Sequence, residues 1–338
     1  MEPLRRRHRI GLKPAILACL AGLSLVGCAP TLMPPGPAVT QPVFAPDSLT
    51  MADGARLPLY VWHGQGEPKA VIVALHGFND YGTFIKAAGA YWAERGIATF
   101  AYDQRGFGDA PNRGLWAGSM AMSEDLTTAA RLIGARHPGV PLFVLGDSMG
   151  GAVTLTAMTG IDPPRTDGVI LVAPAVWGRS TMPFYQRWAL WVSAHTVPSM
   201  TLSGRGLNIT PSDNIEMLRA LGRDPKVIKE TRIDTIWGLT NLMDEALDVA
   251  AQFDAPALIL YGSHDEIIPE KPMRAMLDRR PAAARDRQTV IWYDDAYHML
   301  LRDLAAERAW KDVLAWIDRR RAALPSETHE VRSAPTRR

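Results

Sequence analysis

The chain has 338 residues, 47% hydrophobic and 21% charged, which is ordinary globular composition and enough chain for one large domain with a sizeable core. Its net charge is +2, and residues 1–27 hold Arg5, Arg6, Arg7, Arg9 and Lys13 against Glu2, which leaves −2 for the remainder. A body so close to neutral lacks the clustered positive charge that nucleic-acid binding rests on, so that class of partner is excluded.

The N-terminus pairs a basic stretch, 5–13, with an apolar run, 14–26, too short for a comfortable membrane span; it reads as a targeting segment outside the fold. The run ends in Leu25-Val26-Gly27-Cys28, which resembles the lipobox of bacterial lipoprotein signal peptides. There, cleavage precedes the cysteine and its sulfur receives a diacylglyceryl group, chemistry suited to a thiolate. The resemblance implies a signal peptide over 1–27, lipidation at Cys28 and a lipid-anchored place in a bacterial cell envelope. Ala29 after the cysteine favours the outer over the inner membrane of a Gram-negative cell. Cys19 would leave with the signal, so no disulfide forms within the mature chain, and acyl chains at Cys28 suffice for stable membrane attachment. An uncleaved hydrophobic anchor is the alternative.

From Pro30 to Pro46 six prolines and no apolar period predict an extended tether, 28–47. The folded domain is expected over 48–321. Residues 49–61 alternate around Asp53-Gly54, a hairpin signal. Short apolar runs at 71–75, 97–102, 142–145, 169–172, 258–261 and 290–292 fit strands buried on both faces. Helical patterns at 84–94, 124–136, 151–158 and 304–319 alternate with them, which predicts a mostly parallel sheet covered by helices. The alternation breaks once, over about 177–248, where helical pieces without a buried strand predict an inserted cap. Trp177, Met182, Phe184, Trp188, Trp191 and Trp237 make that cap rich in large apolar side chains, which suit a greasy substrate as well as ordinary packing. Residues 322–338 read as a polar tail.

Gly146-Asp147-Ser148-Met149-Gly150-Gly151 stands between a predicted strand and a predicted helix. Glycines two residues before and after the serine permit the strained turn that pushes a hydroxyl outward, so Ser148 is the candidate nucleophile. A serine hydroxyl needs an imidazole to take its proton and a carboxylate to orient that imidazole. Of His195, His264, His298 and His329, only His298 lies between a late strand and the last helix. Asp265 follows the strand at 258–261, where its carboxylate sits at the carboxyl end of the sheet; Glu266, Asp294 and Asp295 are rivals. The amides of Phe78, in His76-Gly77-Phe78-Asn79-Asp80, and of Met149 are assigned to an oxyanion hole. His76 itself is expected to brace the turn, and Asp103 and Arg105 to pin loops. No metal-ligand spacing and no glycine loop followed by lysine occurs, so neither a metal nor another cofactor is expected.

Taken together, His-Gly-x, Tyr102-Asp103-Gln104-Arg105-Gly106-Phe107-Gly108 and Gly-x-Ser-Met-Gly-Gly resemble the monoglyceride lipase and lysophospholipase branch of the α/β-hydrolases, over roughly 49–319. The resemblance implies the α/β-hydrolase fold and a serine triad in the order Ser148, Asp265, His298. It also implies hydrolysis of carboxylic esters of monoacylglycerol or lysophospholipid. The chain departs from that branch at Asp147, where histidine is common, and at Phe78-Asn79-Asp80. A short-chain carboxylesterase or aminopeptidase-like amidase fits the same scaffold, a dehalogenase would need aspartate at position 148, and a non-enzymatic alternative is a lipid-binding envelope lipoprotein.

Overall fold

The computed structural model describes residues 29–204, 206 and 208–319. Nine strands form one sheet: β1 (Val43–Ala45), β2 (Ser48–Thr50), β3 (Arg56–Trp62), β4 (Ala70–Leu75), β5 (Ile97–Tyr102), β6 (Leu142–Asp147), β7 (Gly168–Val172), β10 (Ala257–Gly262) and β11 (Gln288–Tyr293). Their spatial order is β1-β2-β3-β5-β4-β6-β7-β10-β11. The run from β5 through β11 is parallel, while β1, β2 and β3 are antiparallel, as the hairpin signal at Asp53-Gly54 predicts. Every residue of β4, β5, β6, β7 and β10 is buried, because helices cover both faces and both sets of alternating side chains must be apolar.

The period-2 alternation splits the interior into two cores. Val71, Val73 and Leu75 point to one, with Leu126, Ile133, Val153 and Met273 from helices Ser119–Arg136, Met149–Met158 and Glu270–Arg279. Ala70, Ile72 and Ala74 point to the other, with Trp92 from helix Lys86–Ala93 and Val313 and Trp316 from helix Glu307–Arg319. Every residue of the two cores lies between Leu49 and Ile317. The fold is therefore the mostly parallel, helix-flanked sheet the alternation predicts.

The insertion between β7 and β10 holds helix Phe184–Thr196, a small antiparallel sheet of β8 (Thr201–Ser203) and β9 (Glu230–Arg232), and helices Ile215–Arg223 and Ile233–Val249. The last of these is not a pure cap element. Leu242, Met243, Ala246 and Leu247 on it belong to the main core, and Trp116 packs so closely that a Cβ on Gly238 would meet its ring at 2.3 Å. The cap's large apolar side chains also divide. Trp177 and Met182 pack against the core, whereas Phe184, Tyr185, Trp188 and Trp191 stand 53–75% exposed.

The proline-rich stretch differs from the tether expected over 28–47. It is extended, but it is laid on the domain. The Thr31 amide donates to Asp234 Oδ2 (3.3 Å), that of Met33 to the Trp116 carbonyl (2.8 Å), and that of Gly36 to Asp53 Oδ2 (3.3 Å). Beyond these contacts β1 joins the sheet edge through Val43–Ala45. Proline favours extended backbone, yet the amides between the prolines still find acceptors on the domain, a pairing composition does not disclose. Cys28 and the rest of 1–28, with the tail beyond 319, lie outside the described residues.

Candidate active site

Chemistry-bearing residues leave the sheet at the carboxyl ends of β4, β5, β6, β10 and β11, the edge where sites form on open parallel sheets. At the end of β6 the chain reverses through Ser148, whose φ of 51° and ψ of −112° lie in a region side chains rarely adopt. The turn is held on both sides: the Ser148 amide donates to the Val172 carbonyl, and the Ser148 carbonyl accepts from the amides of Gly151 and Ala175, each at 2.9 Å. Glycine is required around it. A Cβ on Gly146 would come within 2.4 Å of the Gly150 carbonyl oxygen, and one on Gly150 within 2.4 Å of that of Leu75.

The three residues predicted to cooperate are brought together. Ser148 Oγ lies 2.9 Å from His298 Nε2, and His298 Nδ1 lies 2.7 Å from Asp265 Oδ2. The other carboxylate oxygen, Asp265 Oδ1, accepts from the amides of Ile267 and Ile268, both at 2.8 Å. A carboxylate so held only accepts, so the Nδ1 proton faces it and the Nε2 lone pair faces the serine hydroxyl. Burial works to depress the His298 pKa, but the charge and hydrogen bond of Asp265, aided by the charge of Asp147, outweigh it and raise it above its ordinary value. The rivals stand elsewhere: exposed Glu266 accepts from the Thr210 amide (2.7 Å), Asp295 pairs with Arg308, and Asp294 is exposed.

Gly77 and Phe78 run beside the nucleophile, so that a Cβ on Gly77 would lie 3.3 Å from that of Ser148. The Phe78 amide donates to no backbone acceptor among the described residues, and the Met149 amide opens its helix, where no intrahelical acceptor exists. Neither amide has a backbone acceptor among the described residues. His76 braces the turn. Its Nε2 accepts from the Gln104 amide (3.0 Å), its Nδ1 donates to the Gly77 carbonyl (2.8 Å), and burial lowers its pKa. Asp103 takes the amides of Gly82 and Asp109, each at 2.8 Å, while buried Arg105 forks between Asp53 and Asp125 with closest contacts of 2.6 Å to each.

Several residues of the site are not legible in the sequence. Asp147, turned beside the nucleophile, is buried, and burial pushes its carboxyl up to about 6 against the opposing charge of Arg302. Asp80 pairs with Arg302 at 2.7 Å, joining the oxyanion loop to the histidine loop. Asn79, at a φ of 65°, donates from Nδ2 to Thr231 Oγ1 of the cap (2.7 Å). The cap also grips the histidine loop: the Met299 amide donates to the Pro211 carbonyl (2.9 Å), and Ser212 Oγ to Asp303 Oδ1 (2.5 Å). The one sequence signal for this scaffolding is the placement of Asp80 and Arg302 within four residues of Gly77 and His298.

Comparison with known proteins places the chain among serine-type hydrolases. Residues 66–305 match the family model described as serine aminopeptidase, S33. The chain is 25% identical over 276 residues to a monoacylglycerol lipase of Mycolicibacterium smegmatis, covering 78% of this chain and 93% of that one. It is 24% identical over 283 residues to an abhydrolase domain-containing protein of Dictyostelium discoideum, of whose length it spans 29%. Among solved structures, a soluble variant of the Saccharomyces cerevisiae monoglyceride lipase in complex with a substrate analog superposes with a TM-score of 0.66 at 20% identity. The match covers 87% of this chain and 99% of that one, and it speaks to the fold. With 240 of its residues under that family model and a serine, histidine and aspartate joined at the carboxyl edge of the sheet, the chain belongs to the serine aminopeptidase S33 family and is a serine-type hydrolase of the α/β-hydrolase fold.

Proposed function

We propose that the chain hydrolyses carboxylic esters of lipid-like substrates, monoacylglycerol or lysophospholipid, through an acyl-enzyme intermediate. The observation that carries this reading is the unbroken hydrogen-bonded series from Ser148 Oγ through His298 to Asp265. Ser148 Oγ attacks the ester carbonyl carbon while His298 Nε2 takes the hydroxyl proton. The amides of Phe78 and Met149 hold the oxyanion that forms. Collapse breaks the bond to the alcohol, which leaves with the proton from Nε2, and the acyl group stays on Ser148. Water, deprotonated by the same nitrogen, then repeats the attack and frees the fatty acid. Asp265 keeps the imidazole in its working tautomer and stabilises the imidazolium.

Support for a lipid-like acyl group comes from the monoacylglycerol lipase among the relatives. The family description favours one second reading, an aminopeptidase-like amidase, and rates on long-chain esters, short-chain esters and aminoacyl amides separate these. The lipobox-like Leu25-Val26-Gly27-Cys28 supports lipid attachment at Cys28 and an envelope location, tested by metabolic incorporation of an alkynyl fatty acid that Cys28→Ser should abolish. The central test is labelling with a long-chain fluorophosphonate. Labelling of the folded protein and monoacylglycerol turnover, both lost in Ser148→Ala, are expected; an unlabelled folded protein overturns the reading.

A further inference from the structure

Helix Phe184–Thr196 is thirteen residues long, yet Ala194 is its one buried residue. Its exposed large apolar side chains, Phe184, Tyr185, Trp188 and Trp191, recur at helical spacing beside exposed Gln186, Arg187, Ala189 and Thr196, and exposed Val197 and Met200 continue them. Most of the large apolar side chains exposed among the described residues fall between Phe184 and Ile215. Phe184, Trp188, Trp191 and Trp237 line an open groove of about 770 Å³ together with Arg187 and with Arg179, which is paired with Asp244. A patch of this kind marks an interaction site, and tryptophan and tyrosine beside arginine suit a bilayer interface, apolar on one side and phosphate-rich on the other.

The N-terminal segment supplies an independent observation. The backbone amide of Asp234 donates to the Pro198 carbonyl just beyond the aromatic helix (3.0 Å), and the Asp234 carboxylate takes the Thr31 amide. Arg232 closes the same knot from the cap side, onto Asp234 Oδ2 and toward Thr31 Oγ1. Cys28 stands three residues before Thr31 in the sequence, a stretch whose fully extended backbone spans about 11 Å at most.

We propose that the aromatic stripe of helix Phe184–Thr196 is a phospholipid-bilayer docking face, and that segment 31–45 is a strap that aims it by fastening the membrane-attached end of the chain beside it. The docking part stands on the cap alone, while the aiming part rests on lipid attachment at Cys28. An anchor on a long free tether would let the domain tumble. An anchor held at Asp234 and Trp116 puts the acyl chains and the tryptophans on one edge, so that the second contact is made at high effective concentration.

The chain from Ala29 to Arg338, which holds every residue of both cores, is tested for co-sedimentation with phosphatidylethanolamine/phosphatidylglycerol vesicles beside Trp188→Ser/Trp191→Ser. Binding that falls at least about tenfold in the double variant, with hydrolysis of a water-soluble short ester retained, is the expected result. Equal binding of the two proteins overturns the docking face. Loss of short-ester hydrolysis in the variant also overturns it, by assigning the tryptophans to the ester site; inactivity of the parent protein would bear on the proposed activity instead. For the strap, the lipidated chain carries an environment-sensitive dye at Tyr185→Cys or, on the far side before β4, at Glu67→Cys. Quenching by brominated lipid at 185 and not at 67, diminished by Thr31→Pro, is expected. Equal quenching at both positions, or indifference to Thr31→Pro, overturns the strap.

Discussion

Asp265→Asn replaces one oxygen by nitrogen and leaves the volume unchanged, so its effect isolates the tautomer argument. Two backbone amides, of Ile267 and Ile268, converge on Oδ1 at 2.8 Å, while Oδ2 alone faces His298. An asparagine must turn its carbonyl oxygen to the two amides, since reversing it would set N–H against N–H in a buried site. Its NH2 then points at His298 Nδ1, which can accept only if it carries no proton. The imidazole proton is forced onto Nε2, facing Ser148 Oγ, and the lone pair needed to take the serine proton is gone. A triad aspartate changed to asparagine in this way lowers kcat by about 10⁴, or about 5.5 kcal/mol of transition-state stabilisation. The loss should appear in kcat on a soluble p-nitrophenyl ester, and equally in the rate of fluorophosphonate labelling, with Tm little changed. A variant that keeps kcat within about tenfold of the parent would refute both the tautomer argument and the choice of Asp265.

Three further sites have outcomes set by the same geometry. Asp147→Asn should stabilise the protein above pH 6 by about 3 kcal/mol, because the buried carboxyl has its pKa raised from 3.8 to about 6 and ionising it penalises the folded state; the gain should shrink as pH falls and vanish below about 4, where folded and unfolded forms are both protonated, as urea titrations across that range would show. The same change removes a charge that raises the His298 pKa, so the acid limb of the kcat/KM profile should move to lower pH; an unmoved limb would mean that Asp147 does not act on the histidine. Ser148→Gly should melt about 2 °C above Ser148→Ala in calorimetry, because at φ 51° only glycine is unstrained; equal melting would show the elbow to be relaxed. Arg105→Met strands Asp53 and Asp125, both nearly buried, and should cost about 3–5 kcal/mol at pH 8 by urea unfolding but less near pH 5, where Asp125, pushed up to about 6, takes a proton; an equal loss at both pH values would exclude the stranded charge as the cause.

What could be read from the sequence were features with a local code. Strands β4, β5, β6 and β10 announce themselves because burial on both faces demands unbroken apolar runs, and the elbow does so because Gly146 and Gly150 sit where any Cβ would strike backbone. His298 and Asp265 follow from their places after late strands. Pairings across long stretches of chain are absent from such a code. Nearness to Gly77 and His298 marks Asp80 and Arg302 as neighbours of the site but does not pair them across 222 residues, and nothing in Pro34-Pro35-Gly36-Pro37 signals that the Gly36 amide meets Asp53. Helix Ile233–Val249 falls to the cap by its place in the chain, although its apolar face is shared with the layer over the sheet.

That shared helix bears on how the molecule could be cut and recombined. A deletion made at 177 and 248 would remove Leu242, Met243, Ala246 and Leu247 along with the cap and leave Trp116 without the groove at Gly238. A minimal hydrolase, or a chimera carrying a relative's cap, has to keep everything from Ile233 onward and make its downstream junction at Arg232, where β9 ends and the helix begins. What is exchangeable is the stretch before that point, with the aromatic helix, the small sheet and helix Ile215–Arg223, and any replacement has to bring its own partners for Asn79, Asp303 and the Met299 amide.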